Sequence, residues 1–322
     1  MKKYIAYSLA ILLIATGCKH DKDLFVNPNT PSTATPQTML TEIEVASINS
    51  YEGDLTRTAG ILVQHGVGVD GQATQTQVYS LTENQFDNQW GQLYQTLENC
   101  KQLNDRFGDA NPRYKGINNI LMAMNWGELT DLWGDIPFTE ALQAQNNYYP
   151  KYDAQQTVLQ GIDKLLNDAI TILSNTDNKG AIPASDDVIF NGSLDNWIKT
   201  AYTLKARYLN RYSNKSNYDP AAILAALSNG ISNASEDCMG THGSGANEQN
   251  QWYAFLNSRA YIVGAATLID TMKNRGDLRV YYYFDSTGLG DVIGSPIDNP
   301  DPNVSYWGQY LAGSPATRSR RT

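Results

Sequence analysis

Histidine and cysteine are both scarce, with three of each in 322 residues. His20, His65 and His242 lie far apart, so no pair has the spacing by which a zinc site is usually held. Of the cysteines, Cys100 and Cys238 fall in the body of the chain, and Cys100 shares a helical spacing with Trp90, Leu93 and Leu97. That makes it a small buried hydrophobe, while a Cys100–Cys238 disulfide stays open. Basic residues are outnumbered, 24 Lys and Arg against 33 Asp and Glu, and a formal charge of −9 argues against a nucleic-acid surface, which needs a basic stripe. The apolar segment Tyr4 to Thr16 falls short of the roughly 20 residues that cross a bilayer. Disorder of the whole chain is excluded, because 41% hydrophobic and 18% charged residues is ordinary globular composition. An enzyme needs a placed nucleophile, an acid–base pair or a metal, and none stands out.

What is present begins with an export signal. Lys2 and Lys3, the apolar Tyr4 to Thr16, and Gly17 form a leader over residues 1–17. It ends in the lipobox Ala15-Thr-Gly-Cys18, so cleavage is expected to leave Cys18 acylated, a lipid anchor without a spanning helix. Residues 18–37 include Asn27-Pro-Asn-Thr-Pro-Ser-Thr-Ala-Thr-Pro36 and read as a tether that cannot build a core.

Helical periodicity dominates the rest. Met39, Leu40, Ile43 and Ala46 open a first amphipathic helix, and Thr58 to Gln64 a second or its continuation. Phe86, Trp90, Leu93, Tyr94, Leu97, Cys100, Leu103 and Phe107 recur at steps of three and four, and Gly108 ends the run. A partner starts near Pro112 and carries Leu121, Met124, Leu129 and Leu132 to Gly134, giving an αα-hairpin. Asp153-x-x-Gln156 reads as a capping box before Val158, Ile162, Leu166, Ala169 and Leu173. Further helices are expected at Trp197 to Tyr208, from Asp219-Pro220 through Ile231, and from Tyr261 to Met272. Helix starts near 86, 113, 154, 194 and 221 are paired, but they lack the constant period of about 34 residues that would define a tetratricopeptide array. The fold class is mostly α, helical pairs with long irregular loops.

His65 to Tyr79 is polar and glycine-rich, and Gly66, Gly68 and Gly71 spell G-x-G-x-x-G. A dinucleotide site needs a strand before this run and a helix after it, and Gln72 to Gln77 has no apolar stripe to make that helix. A connecting loop is the expectation. Glu128, Asp131 and Asp135 crowd one corner, where a carboxylate pair could serve a hydrolase; capping a tight turn is the commoner use. Asp298-Asn-Pro-Asp-Pro-Asn303 offers oxygen ligands for calcium, although such turns are usually solvated. No cofactor is expected.

The corner Asp131-Leu-Trp-Gly-Asp-Ile-Pro-Phe-Thr-Glu-Ala141 resembles the D-x-W-G-D-[IV]-P-[FY]-x-E-A corner of the SusD/RagB family of lipid-anchored outer-membrane nutrient-binding proteins. Asp187-Val-Ile-Phe-Asn-Gly-Ser193 and the helix after it resemble a second family segment, departing at Ser193 and at Tyr202-Thr203. The resemblance implies a tetratricopeptide-like α–α superhelix over residues 38–311 and a non-enzymatic protein at the cell surface. It implies capture of an oligosaccharide, or else a peptide, for a TonB-dependent SusC-like transporter. Family members run further, so the domain reads as incomplete at its C-terminus. Residues 312–322 then read as an atypical basic tail of a truncated or frame-shifted product.

In that family the ligand sits on loops at one edge of the scaffold. The loops suited to it here are 65–80, 240–253 and 285–310. Asp70, Gln75 and Tyr79 from the first, Trp252 and Tyr253 from the second, and Trp307 from the third are the expected contacts, since aromatic faces stack on sugars and amides satisfy hydroxyls. Trp90, Trp126, Trp133 and Trp197 are assigned to the core. An exported lipid-anchored glycan hydrolase and an adhesive surface lipoprotein are the alternatives.

Overall fold

Apolar residues at every third or fourth position give a ladder of helices. The computed structural model describes residues 34–177, 179–243, 245, 247–287, 290–307 and 319–320. The leader, Cys18, most of the tether and most of the 312–322 tail lie outside the described residues. Helix α1 spans Pro36–Glu52 and α2 Asp54–Leu62, separated at Gly53. Strand β1, Gly66–Gly68, and helix α3, Gly71–Gln77, follow. Next come α4, Asp87–Leu103, continued by a π-turn at Asn104–Gly108, and α5, Pro112–Trp133. Short strands β2, Ile136–Pro137, and β3, Tyr152–Asp153, pair antiparallel ahead of α6, Gln155–Leu173. Then α7 spans Leu194–Leu209 and α8 Pro220–Leu227.

The remainder is finer grained. Strand β4, Met239–Gly240, is followed by α9, Gln251–Ser258, β5, Ile262–Gly264, α10, Ala266–Asn274, and α11, Val280–Tyr283. Strand β1 pairs antiparallel with β5, Val67 opposite Val263, and β4 pairs with β6, Ser319–Arg320.

Packing follows the pairs. Helix α4 lies against α5 and α1, α5 against α6, α6 against α7, and α7 against α8. Leu40, Leu97, Cys100, Ile117, Leu121, Leu129, Ile162, Leu166 and Trp197 belong to one continuous buried cluster. The fold is thus mostly α with paired helices. Buried amides tie the pairs together: Asn118 Nδ2 donates to the Cys100 carbonyl at 2.7 Å, and Asn125 Nδ2 to Ser47 Oγ at 2.8 Å.

Gly134 ends α5 at φ +75°, a conformation that Cβ-bearing residues avoid, and Pro137 keeps the chain extended. Aromatic rings then fill the corner. Trp90 meets Trp133 at 5.3 Å between centroids, Tyr94 meets Trp126 at 5.7 Å, and Trp126 meets Phe138 at 5.0 Å, all edge to face. The Tyr94 hydroxyl donates to the Pro137 carbonyl at 2.8 Å.

Several expectations need correction. Leu132 is 46% exposed, because the last turn of α5 rotates it off the buried stripe. Asp153 does not cap α6: it sits in β3, where Oδ2 accepts from the Phe138 and Thr139 amides at 3.2 and 2.6 Å. Asp135 takes over at that helix, its Oδ1 accepting from Gln155 N at 2.9 Å. Residues 65–79 are not a loop but a strand and a helix. Tyr261 precedes β5 rather than opening a helix, and Ile231 lies beyond the end of α8. Cys100 and Cys238 are both buried and no disulfide joins them, and burial pushes the Cys100 thiol well up. Among the described residues no helix is long and apolar enough to cross a membrane.

Candidate functional site

Gly71 allows the local geometry from which the site is built. Its φ is +54°, and a Cβ there would lie 2.5 Å from the Tyr261 ring, so only glycine lets the turn approach that aromatic face. Asp70 Oδ1 accepts from Gly71 N at 2.7 Å, capping α3. The far end of α3 is held by Gln77, which is buried. Its Oε1 accepts from Gly68 N and its Nε2 donates to the Ile297 carbonyl, both at 3.2 Å. A helix without an apolar stripe is therefore fixed by hydrogen bonds at both ends.

Between α2 and α3 on one wall, and α9 with Tyr261 on the other, lies a cavity of about 310 Å³. Its lining is polar: Gln72, Gln75 and Thr76 from α3, Thr82, Asn84 and Gln85 from the segment before α4, and Arg259. Phe255 and Tyr261 supply the aromatic surface, packed edge to face with centroids 6.1 Å apart. A second cavity of about 280 Å³ adjoins it, lined by Asn49, Asn88, Gln89, Gln92 and Gln251. The two share Asp54 and Arg57.

Arg57 sits at that junction. Its guanidinium carbon lies over the Phe255 ring, 4.5 Å from the centroid, a cation–π contact. Nη2 is 3.6 Å from Asp54 Oδ1, and Nη1 donates to the Gln251 carbonyl at 3.5 Å. Nε is buried with no acceptor. Burial lowers the Arg57 pKa, although a guanidinium keeps its proton throughout the physiological range. Asp54 Oδ2 is engaged by Gln89 Nε2 at 2.6 Å.

His242 and Asn250 are pinned beside this cleft by Glu52. Glu52 Oε2 meets His242 Nε2 at 2.8 Å with both side chains buried, and Asn250 Nδ2 donates to the same oxygen at 3.1 Å. Asn250 Oδ1 in turn accepts from the amides of Trp252 and Tyr253, capping α9. Trp252 and Tyr253 therefore stand on the first turn of a helix, not on a loop.

Of the residues singled out from sequence, Gln75 lines the larger cavity. Asp70 is exposed and engaged in the cap. Tyr79 is 57% exposed, with its hydroxyl on the Leu62 carbonyl at 3.1 Å. Trp252 and Trp307 come together with centroids 5.7 Å apart, and Trp307 packs on Phe284 at 4.6 Å, next to Gly66. Tyr253 is half-buried beside Trp252 on α9. Sequence reasoning missed Asp54, Arg57, Phe255, Arg259 and Tyr261. The i,i+3 placement of Asp54 and Arg57 and the continuation of Trp252-Tyr253 to Phe255 were the available signals.

The acidic corner is already committed. Asp131 receives Nε and Nη2 of Arg211 in a two-pronged pair, while Asp135 serves α6. Asp298 to Asn303 forms an exposed turn in which Asp301 Oδ1 accepts from Asn303 N at 2.8 Å. Among the described residues no three His, Cys, Asp or Glu are grouped as metal ligands.

The chain is similar to a SusD/RagB family protein from Bacteroides thetaiotaomicron, with 25% identity, a TM-score of 0.76, and coverage of 86% of this chain and 62% of that one. It also shares its fold with a chitin-binding SusD homolog from Flavobacterium johnsoniae, at 17% identity and TM-score 0.74, covering 88% and 61%. A SusD homolog from Bacteroides fragilis is alike at 22% identity and TM-score 0.68, covering 88% and 64%. The chain thus spans under two thirds of the length of these three structures. No curated protein matches it. A family model described as "Starch-binding associating with outer membrane", SusD-like, matches residues 28–307, so the chain belongs to the SusD-like family of outer-membrane-associated proteins.

Proposed function

We propose that this protein is a surface-exposed lipoprotein, anchored through Cys18, that captures an oligosaccharide in the cleft between α2–α3 and α9 and hands it to a TonB-dependent SusC-like transporter. Residues 1–17 act as the leader, 18–37 as the tether, and the helical domain from 38 to 311 as a tetratricopeptide-like frame that carries the cleft. The observation that carries this reading is the lining itself. Amides of Gln72, Gln75, Asn84 and Gln85 surround the rings of Phe255 and Tyr261. Amides both donate to and accept from sugar hydroxyls, and aromatic rings accept the apolar faces of pyranoses. No step of bond breaking is required of such a site.

Isothermal titration against a panel of oligosaccharides tests the reading. Binding of at least one glycan is expected, and Tyr261→Ala together with Gln72→Ala should weaken it about tenfold or more, the loss of a ring contact and a hydrogen bond. A complete absence of glycan binding, with peptide binding in its place, overturns the sugar reading. Membrane extraction followed by affinity purification should bring a large β-barrel with the chain, and its absence would count against delivery to a transporter.

A further inference from the structure

We propose that the cleft selects an acidic oligosaccharide, one whose sugars carry a carboxylate or a sulfate, and that Arg57 and Arg259 are the groups that select it. The inference rests on the reading of the cleft as a glycan site. The chain as a whole is acidic, at −9, yet the larger cavity has two guanidiniums and one carboxylate among its lining residues. That carboxylate is already shared, since Asp54 Oδ2 is held by Gln89 and Oδ1 stands 3.6 Å from Arg57 Nη2.

Arg57 is under-compensated by the protein around it. Its side chain is 12% exposed, its Nε is buried without an acceptor, and its other side-chain polar contacts are at 3.5 and 3.6 Å. A buried cation with so little hydrogen bonding is costly unless an anion arrives. Arg259, exposed just past the end of α9, lines the same cavity, and no carboxylate pairs with it among the described residues. The two guanidiniums are close enough that the charge of Arg259 acts against that of Arg57. Like charges so placed repel, and a ligand anion held in the cleft offsets both charges while gaining the exposed fork of Arg259. Phe255, Asp54 and Gln251 together fix the Arg57 guanidinium, so little side-chain freedom is lost when an anion approaches it. A planar carboxylate or a sulfate accepts such a fork, whereas a neutral hydroxyl leaves most of it unused.

Titration of the purified chain with tetragalacturonate, with a sulfated carrageenan tetrasaccharide, and with the carboxyl-reduced and desulfated forms of each is the test. At least one charged probe should bind about tenfold or more tightly than its neutral form. Which arm responds tells carboxylate from sulfate. Arg259→Gln, at an exposed position, should abolish that preference, with the affinity for the charged probe falling to that for its neutral form. Arg259→Lys should restore part of it, because the charge returns without the fork. Affinity for the charged probe should also fall as sodium chloride is raised. Neutral forms that bind as well as the charged ones overturn the inference and leave the glycan site standing. Failure of every probe overturns the inference, and the wider glycan panel then decides whether the glycan site stands.

Discussion

Four N–H donors converge on the carboxylate of Asp187, which is 1% exposed. Oδ1 accepts from the amides of Ile189 and Phe190 at 3.1 and 2.9 Å, and Oδ2 from Gly192 N at 2.9 Å and Trp197 Nε1 at 2.8 Å. One side chain thereby shapes the turn before α7 and locks the buried indole of that helix, Trp197. Asp187→Ala leaves these donors buried without an acceptor and should cost on the order of 3 kcal/mol or more in urea unfolding, while Asp187→Asn should cost less. Glu44 lies beside it, fully buried, with Oε2 accepting from Val188 N at 2.7 Å. Burial, and after it the charge of Asp187, pushes the Glu44 carboxyl well above its ordinary value of 4.5. A raised carboxyl binds a proton in the folded state that the unfolded chain has released. Its contribution is therefore full below the ordinary value and is lost as pH rises through the folded one. Glu44→Gln, neutral at every pH and nearly isosteric, should flatten the decline of the urea midpoint with rising pH. A variant profile parallel to that of the parent chain would show that Glu44 is not the group responsible.

At the scale of elements, the helical pairs were legible because their apolar spacing is strong: α4, α5, α6 and α7 start within a few residues of the positions read from sequence. Of the segments that build the cleft, α2 was read in part, as a helix from Thr58, while α3, β1 and β5 were not. Helix α3 has no apolar face, and β1 and β5 are three residues each, too short for alternation to register. Their order comes from partners distant in sequence, such as Gln77 with Ile297. Asp153-x-x-Gln156 spells a capping box, yet β2–β3 pairing recruits Asp153 to Thr139, a tertiary demand that overrides the local signal. Gln75 was legible as a polar residue in a suggestive stretch. Arg57 was not, because its position over Phe255 joins residues almost two hundred apart. Gln77→Ala removes both restraints on the end of α3 and should destabilise by about 1–3 kcal/mol in chemical denaturation. It should also weaken glycan affinity, since Gln72, Gln75 and Thr76 ride on that helix. Unchanged affinity in a destabilised variant would show that α3 is not a wall of the site. Gly127→Ala probes the frame instead. A Cβ there falls 2.0 Å from the Tyr208 hydroxyl, so α5 and α7 must separate, and a loss of about 1–3 kcal/mol with little change in affinity is expected.

Across the whole molecule the apolar core is unevenly distributed. One large cluster joins α1 with α4 through α7, whereas residues from 262 onward rest on small clusters, Ile269, Met272, Val280, Phe284 and Val292 in one and Val67, Val263, Ala265 and Val304 in another. Small clusters bury less apolar surface, so the segments they hold should open at lower free energy than the frame. The cleft lies on this seam, one wall carried by α2 and α3 and the other by α9 and Tyr261. A ligand that spans it is bound only while both walls are in place, and it therefore stabilises the weaker region by mass action, about 2.7 kcal/mol at a hundredfold excess over its dissociation constant. Amide hydrogen exchange read by mass spectrometry should show α5 and α6 exchanging slowest and α10 and α11 markedly faster. Adding a bound glycan should slow exchange in 54–62, 71–77 and 251–264 together while α6 is unaffected. Protection confined to one wall would mean that the ligand does not bridge the seam, and α10 exchanging as slowly as α5 would mean that there is no weaker region for it to stabilise.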